Sequence, residues 1–113
     1  MDHFEVPRNV GEIESPDAEH RAGNPVCGDE VHVTFRLRGN CVQDVRFRAY
    51  GCHATIAAIS LLTERIKGGT VAAARAVTPE TLAGWFVDLP VGRRHAAEVA
   101  VDAVRGALGG ADR

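Results

Sequence analysis

Between residues 31 and 49 the chain alternates with a period of two. Val31, Val33, Phe35 and Leu37 point one way, while His32, Thr34, Arg36 and Arg38 point the other. Gly39-Asn40 follows, two residues with glycine first, the composition that a type II′ hairpin turn prefers. The returning segment is expected to set Cys41, Val45, Phe47 and Ala49 on one face, opposite Asp44, Arg46 and Arg48. This pattern predicts a half-buried antiparallel hairpin.

The period changes after Cys52. From residue 54 to 67, Ile59, Leu62 and Ile66 recur at helical spacing, and Gly68-Gly69 ends the run. Thr70 can cap a short helix reaching Val77. Thr78-Pro79 sets a capping threonine before a proline and predicts a helix carrying Leu82, Trp85 and Phe86. A last helix should begin within residues 90–93, bury Val99, Ala100, Ala103, Val104 and Ala107, and stop at Gly109-Gly110. The first thirty residues hold Pro7, Gly11, Pro16, Gly23, Pro25 and Gly28, and read as loop with one short strand near residues 12–15. Strands precede helices, so the fold class is α+β: a small antiparallel sheet with helices packed on one face.

A length of 113 residues suits a single domain, 1–113, with a core of its own. A hydrophobic share of 45% with 25% charged residues fits a globular chain. The net charge of −2 gives no electrostatic reason for nucleic-acid or membrane-surface binding. Met1-Asp2-His3-Phe4 lacks the basic start and apolar run of a signal peptide, and no stretch has the apolar length of a membrane span. Three widely spaced cysteines make no disulfide framework. A cytoplasmic location, where thiols stay reduced, is the expectation.

Two of those cysteines stand in small-residue turns, Gly23-Asn24-Pro25-Val26-Cys27-Gly28-Asp29 and Tyr50-Gly51-Cys52-His53. Glycine beside cysteine lets backbone approach whatever the sulfur holds. Cys52 falls where strand gives way to helix, and the positive end of a helix favours thiolate. His95 falls in the first turn of the last helix, and Gly28 lets the chain fold around a point shared by Cys27 and Asp29. Two thiols, an imidazole and a carboxylate suit zinc or ferrous iron, not magnesium or calcium. Each residue also has a plainer reading: Cys27 as a small buried hydrophobe, Cys52 as a structural residue at a strand end, Asp29 as a turn acceptor, His95 as a solvated neighbour of Arg93 and Arg94. No C-x-x-C pair is present, and His53 is a rival ligand beside Cys52. Strand parity assigns Cys41 to the apolar face, and His3, His20 and His32 are assigned to surface or capping positions.

Taken together, several segments resemble the iron–sulfur cluster assembly scaffolds of the IscU/SufU type, also found as the N-terminal domain of NifU. They are His3-Phe4-x-x-Pro7-Arg8-Asn9-Val10-Gly11, Gly23-Asn24-Pro25-x-Cys27-Gly28-Asp29 and Phe47-x-x-Tyr50-Gly51-Cys52. Ala57, Ser60, Thr63-Glu64, Lys67-Gly68, Leu89-Pro90 and His95 continue the likeness almost end to end. In that family three cysteines, an aspartate and a histidine surround one exposed site. The resemblance carries four of those positions onto Cys27, Asp29, Cys52 and His95, while Ala96 stands where the third cysteine belongs. It also implies the IscU/SufE-like fold.

The same resemblance implies a scaffold and not an enzyme, binding a [2Fe–2S] cluster, or Zn2+ or Fe2+, at those four residues. Known clusters accept mixtures of cysteine and histidine, so four such ligands can suffice. The implied partners are a cysteine desulfurase and iron–sulfur recipient or carrier proteins. In the family the third cysteine is taken as the receiver of sulfur, so Ala96 opens two alternatives. One is a zinc-binding sulfur acceptor or modulator of the desulfurase. The other is a scaffold fold that has lost its chemistry and serves as an interaction module. The segment that some members offer to a chaperone is reduced here to Leu89-Pro90-Val91-Gly92-Arg93.

Overall fold

The alternating residues form the long strands of a three-stranded antiparallel sheet. The computed structural model describes residues 9–24, 29–51, 53–85 and 93–111. Its strands β1 (Ala18–Asn24), β2 (Asp29–Arg38) and β3 (Cys41–Tyr50) lie in the order β1-β2-β3. Gly39 takes a φ of 60° while Asn40 has no positive φ, the sign pattern of a type II′ turn. Val31, Val33, Phe35, Val45 and Phe47 fill the inner face and are buried. Removing each such side chain from water contributes roughly 1.5–3 kcal/mol.

The ladder carries one irregularity. Arg36 pairs with Asp44 but Leu37 pairs with Val42, so Gln43 is an extra residue on β3. The bulge reverses the facing of everything before it. Val42 is buried, and Cys41 is an exposed free thiol instead of belonging to the apolar face as parity predicted.

Of the four helices among the described residues, the first and last cover the inner face and the two short ones pack against them. In chain order they are α1 (His53–Ile66), α2 (Val71–Arg75), α3 (Pro79–Trp85) and α4 (Arg93–Ala111). Between Ala54 and Ile66 only Ile56, Glu64 and Arg65 of α1 are not buried, because β3, α3 and α4 all pack against it. Thr70 caps α2 by accepting from the Ala73 amide at 3.0 Å, and Thr78 caps α3 through the Thr81 amide at 3.1 Å. The Arg65 guanidinium lies 4.9 Å from the centre of the Trp85 ring and ties α1 to α3. Contrary to the expected stop, α4 continues through Gly109 and Gly110. Buried Ala107 and Leu108 hold that turn down and offset a glycine penalty of about 1 kcal/mol.

The first strand is also not where the turn residues suggested. Residues 12–15 form no strand, and β1 begins at Ala18. Its inward positions are Ala18 and Ala22 with His20 between them, too small and polar an apolar stripe to show as alternation. Small residues are needed because α4 comes close: a Cβ at Gly106 would collide with the His20 ring.

Before β1, residues 9–17 cross the outer face of the sheet. Asn9 and Gly11 bond to Phe47 on the free edge of β3: the Phe47 amide donates to the Asn9 carbonyl at 2.9 Å, and the Gly11 amide donates to the Phe47 carbonyl at 2.8 Å. The Ile13 amide then donates to Thr34 Oγ1 at 3.0 Å, and the Asp17 amide to the Phe35 carbonyl at 2.8 Å. This crossing buries Thr34 and His32. His32 is therefore not the surface residue its position on the polar face predicted.

Candidate metal centre

Of the candidate ligands, Asp29 stands at a strand start and His95 at a helix start. Asp29 is the first residue of β2 and pairs with Asn24, the last of β1. Residues 25–28, with Cys27 among them, connect that pair and lie outside the described residues. Glu30 pairs with Tyr50, so the start of β2 and the end of β3 share one end of the sheet. Beyond Tyr50, Gly51 has a φ of 125°, a conformation that side chains disfavour, and His53 opens α1. Cys52 stands between them in sequence and is also outside the described residues, as is Leu89-Pro90. His95 is the third residue of α4. No contact among the four candidates is therefore described.

The opposite end of the sheet is fixed by several contacts. The Gly68 amide donates to the Val42 carbonyl and the Val71 amide to the Asn40 carbonyl, which anchors the end of α1 and the start of α2 beside the hairpin turn. Arg105 Nε donates to the Arg75 carbonyl at 3.2 Å, so the later part of α4 lies against α2. His95 is ten residues upstream, about 15 Å along the helix axis. Ala96, next to it, is fully buried.

Electrostatics at the turn end are local. Asp44 is bonded by the Val45 amide at 2.9 Å, by Lys67 Nζ at 3.2 Å and by Arg46 Nε at 3.4 Å. Burial is the largest single influence and would raise its pKa, but the Lys67 bond, the Val45 amide and the Arg46 charge together lower it. A cavity of about 260 Å³ also lies at this end, lined by Arg65, Ile66, Thr70, Ala74, Val77 and Trp85 among others.

Sequence reasoning missed the grouping around His32. Its Nε2 lies 3.2 Å from Glu19 Oε1 and its Nδ1 lies 3.5 Å from Glu12 Oε1, with Arg48 Nε 3.8 Å from the same Glu12 oxygen. Glu12 belongs to an irregular segment, so no periodicity announces the contact. Among the described residues no three His, Cys, Asp or Glu side chains converge closely enough to hold a metal ion. None of the described helices is long and apolar enough to cross a membrane.

The chain is similar to known proteins along nearly all its length. A family model, the NifU-like N terminal domain, matches residues 1–110. The iron–sulfur cluster assembly scaffold protein IscU 1 of Archaeoglobus fulgidus is 40% identical over 108 residues, covering 96% of this chain and 71% of that one. The IscU scaffold protein of Haemophilus influenzae is 34% identical over 112 residues, covering 96% and 88%. Among solved structures, a putative iron–sulfur cluster assembly scaffold for the SUF system from Fervidobacterium islandicum superimposes with a TM-score of 0.78 at 23% identity, covering 96% and 92%. The N-terminal part of a NifU-like protein from Brucella abortus gives 0.74 at 22% identity, covering 98% and 90%. At those identities the structural likeness speaks for the fold.

Proposed function

The chain belongs to the NifU-like N-terminal domain family, and on that premise we propose that it is a scaffold of iron–sulfur cluster assembly which holds its cargo at Cys27, Asp29, Cys52 and His95. The observation that carries this reading is the extent of the match. It spans both cysteine turns and the start of α4, and relatives named as scaffolds align over 96% of the chain.

The geometry supports a shared site. Covalent connectivity keeps Cys27 within two residues of Asp29 and Cys52 within one of Gly51, at the end of the sheet where β2 begins and β3 ends. A helix whose later part lies against α2 aims its start, with His95, at that same end. Cys52 immediately precedes α1, where the helix dipole favours the thiolate that binds iron. The donor set fits iron in a [2Fe–2S] cluster or a single Fe2+ or Zn2+. A carboxylate and an imidazole are weaker partners for soft iron than thiolates, which suits a site that must give its cargo up. The protein binds and hands on, and turns over no substrate. A cysteine desulfurase as sulfur donor and iron–sulfur recipient or carrier proteins are its partners under this reading, in a reducing cytoplasm.

Anaerobic reconstitution with iron and sulfide tests the assignment. A visible absorption band should form, and Cys27→Ala or Cys52→Ala should abolish most of it. Cys41→Ala should leave it unchanged, because Cys41 is exposed beside the hairpin turn at the other end. Loss of the band in the Cys41 variant alone would overturn the site. Zinc in the protein as isolated, with stimulation of a desulfurase and no cluster, would favour the sulfur-acceptor reading instead.

A further inference from the structure

Residues 9–17 fasten to three of the elements that lead into the proposed site, β2, β3 and α1. Asn9 donates to Thr63 of α1 at 3.2 Å. Asn9 and Gly11 hold β3 at Phe47. Ile13 bonds to Thr34 of β2, and Arg36 of β2 reaches back to the Glu14 carbonyl at 2.6 Å and the Ser15 carbonyl at 3.0 Å. We propose that this segment is a clasp which opens separately from the rest of the fold, and that its closure is coupled to occupancy of the metal site. The coupling rests on the site assigned above.

Opening is physically cheap here. Of its apolar side chains, Val10 is exposed and Ile13 and Pro16 are only half-buried, so little surface returns to water. Three of nine residues hold positive φ, and two of them, Asn9 at 61° and Ser15 at 50°, are not glycine. Opening releases that strain. The buried side chains beneath it keep a partner: His32 keeps Glu19, and Thr34 keeps the Arg46 carbonyl at 3.4 Å. Closing, in turn, locks β2, β3 and α1 to one another. Asp29 leads β2, and Cys52 lies between β3 and α1. Ligand that needs those ends in register binds the clasped form better, and by linkage it tightens the clasp.

Amide hydrogen exchange on the full chain, metal-free and with zinc ion as the probe, tests this. In the metal-free protein the Gly11 and Ile13 amides should exchange about tenfold faster than that of Leu62 in α1, and zinc should slow them about threefold or more. Arg36→Ala, which releases Glu14, Ser15 and Asp17, should speed Gly11 and Ile13 further, leave Leu62 unchanged, and weaken zinc binding about threefold. Exchange of all three amides at one common rate would overturn the separate opening. Zinc binding through Cys27 and Cys52 with no change at Gly11 and Ile13 would overturn the coupling alone. Zinc binding that survives loss of both cysteines would overturn the site reading, and the coupling with it.

Discussion

The side-chain amide of Asn9 donates to the Thr63 hydroxyl at 3.2 Å, joining positions 54 residues apart. Thr63 is itself held by donating to the Ser60 carbonyl at 2.9 Å, one turn back in α1. Both residues belong to segments of family resemblance separated by most of the sheet, and their contact shows why neither stands alone.

Replacing Asn9 should therefore cost on two counts. Its φ of 61° is one that alanine adopts poorly, so Asn9→Ala loses about 1 kcal/mol for the hydrogen bond and about 1 more for strain. Asn9→Gly should lose only the first part. Urea denaturation of the two variants separates the contributions. Equal losses would mean that backbone strain at residue 9 does not matter.

Gly106 should tolerate no side chain while His20 remains. A Cβ there overlaps Cδ2, Cγ and Nε2 of the His20 ring as it is placed against α4. Gly106→Ala should lower stability despite a gain in helix propensity of about 1 kcal/mol. In a His20→Ala background the same change should stabilise. A double-mutant cycle on thermal melting shows whether the sign reverses.

How much of this was legible in the sequence follows from what each segment packs against. Val31 to Leu37 could be read because one face meets helices and the other does not, so composition alternates. The helix caps Thr70 and Thr78 could be read because capping is local chemistry. The bulge at Gln43 could not, since one extra residue changes the facing of Cys41 without changing composition. Ala18–Asn24 gave no strand signal because α4 approaches too closely for large apolar side chains. His32 looked like a surface residue because its cover comes from residues 9–17, which follow no period. The proposed ligands Cys27, Asp29, Cys52 and His95 were legible only as residue types in turns or at a helix start and, with the order of motifs, as a resemblance.

Stability should fall on acidification partly through Asp44. Its folded pKa is lowered, so the unfolded chain binds the proton more readily. The stabilising contribution is complete above the ordinary carboxylate pKa and is lost as pH falls from about 4 through the lower folded value. Asp44→Asn should flatten the acid limb of a stability–pH curve while changing the neutral region little beyond its loss of the Lys67 and Arg46 pairs. An acid limb identical to that of the natural chain would show that these pairs do not act on folding.

Metal removal should lower stability without abolishing the fold. A continuous apolar cluster already runs from Val31 and Phe35 through Ile59 and Leu62 to Leu108 and joins the sheet to α1 and α4. The chelated protein should still unfold cooperatively. Zinc at about 100 times its dissociation constant should add about 2.7 kcal/mol. A chelated chain with no cooperative transition would make the metal a structural requirement and weaken the scaffold reading.

The last prediction concerns Ala96, which is fully buried in the first turns of α4. Ala54, Ala57 and Ala58 of α1 and Ala97 and Ala100 of α4 are also buried, and the two helices pack against each other. Ala54 lies two residues beyond Cys52, and Ala96 one beyond His95, so under the proposed function residue 96 borders the site. A sulfur added there has little free room, and Ala96→Cys should lower the stability of metal-free protein by about 1 kcal/mol. With iron present the balance reverses, because soft iron prefers a third thiolate to the Asp29 carboxylate. A reconstituted cluster should outlast that of the natural chain, and incubation with a cysteine desulfurase should add a persulfide that the natural chain carries weakly or not at all. Absorbance decay and intact-mass spectrometry measure the two effects. Loss of stability with neither gain would mean that residue 96 faces only the apolar core, and that its correspondence to the third family cysteine is wrong.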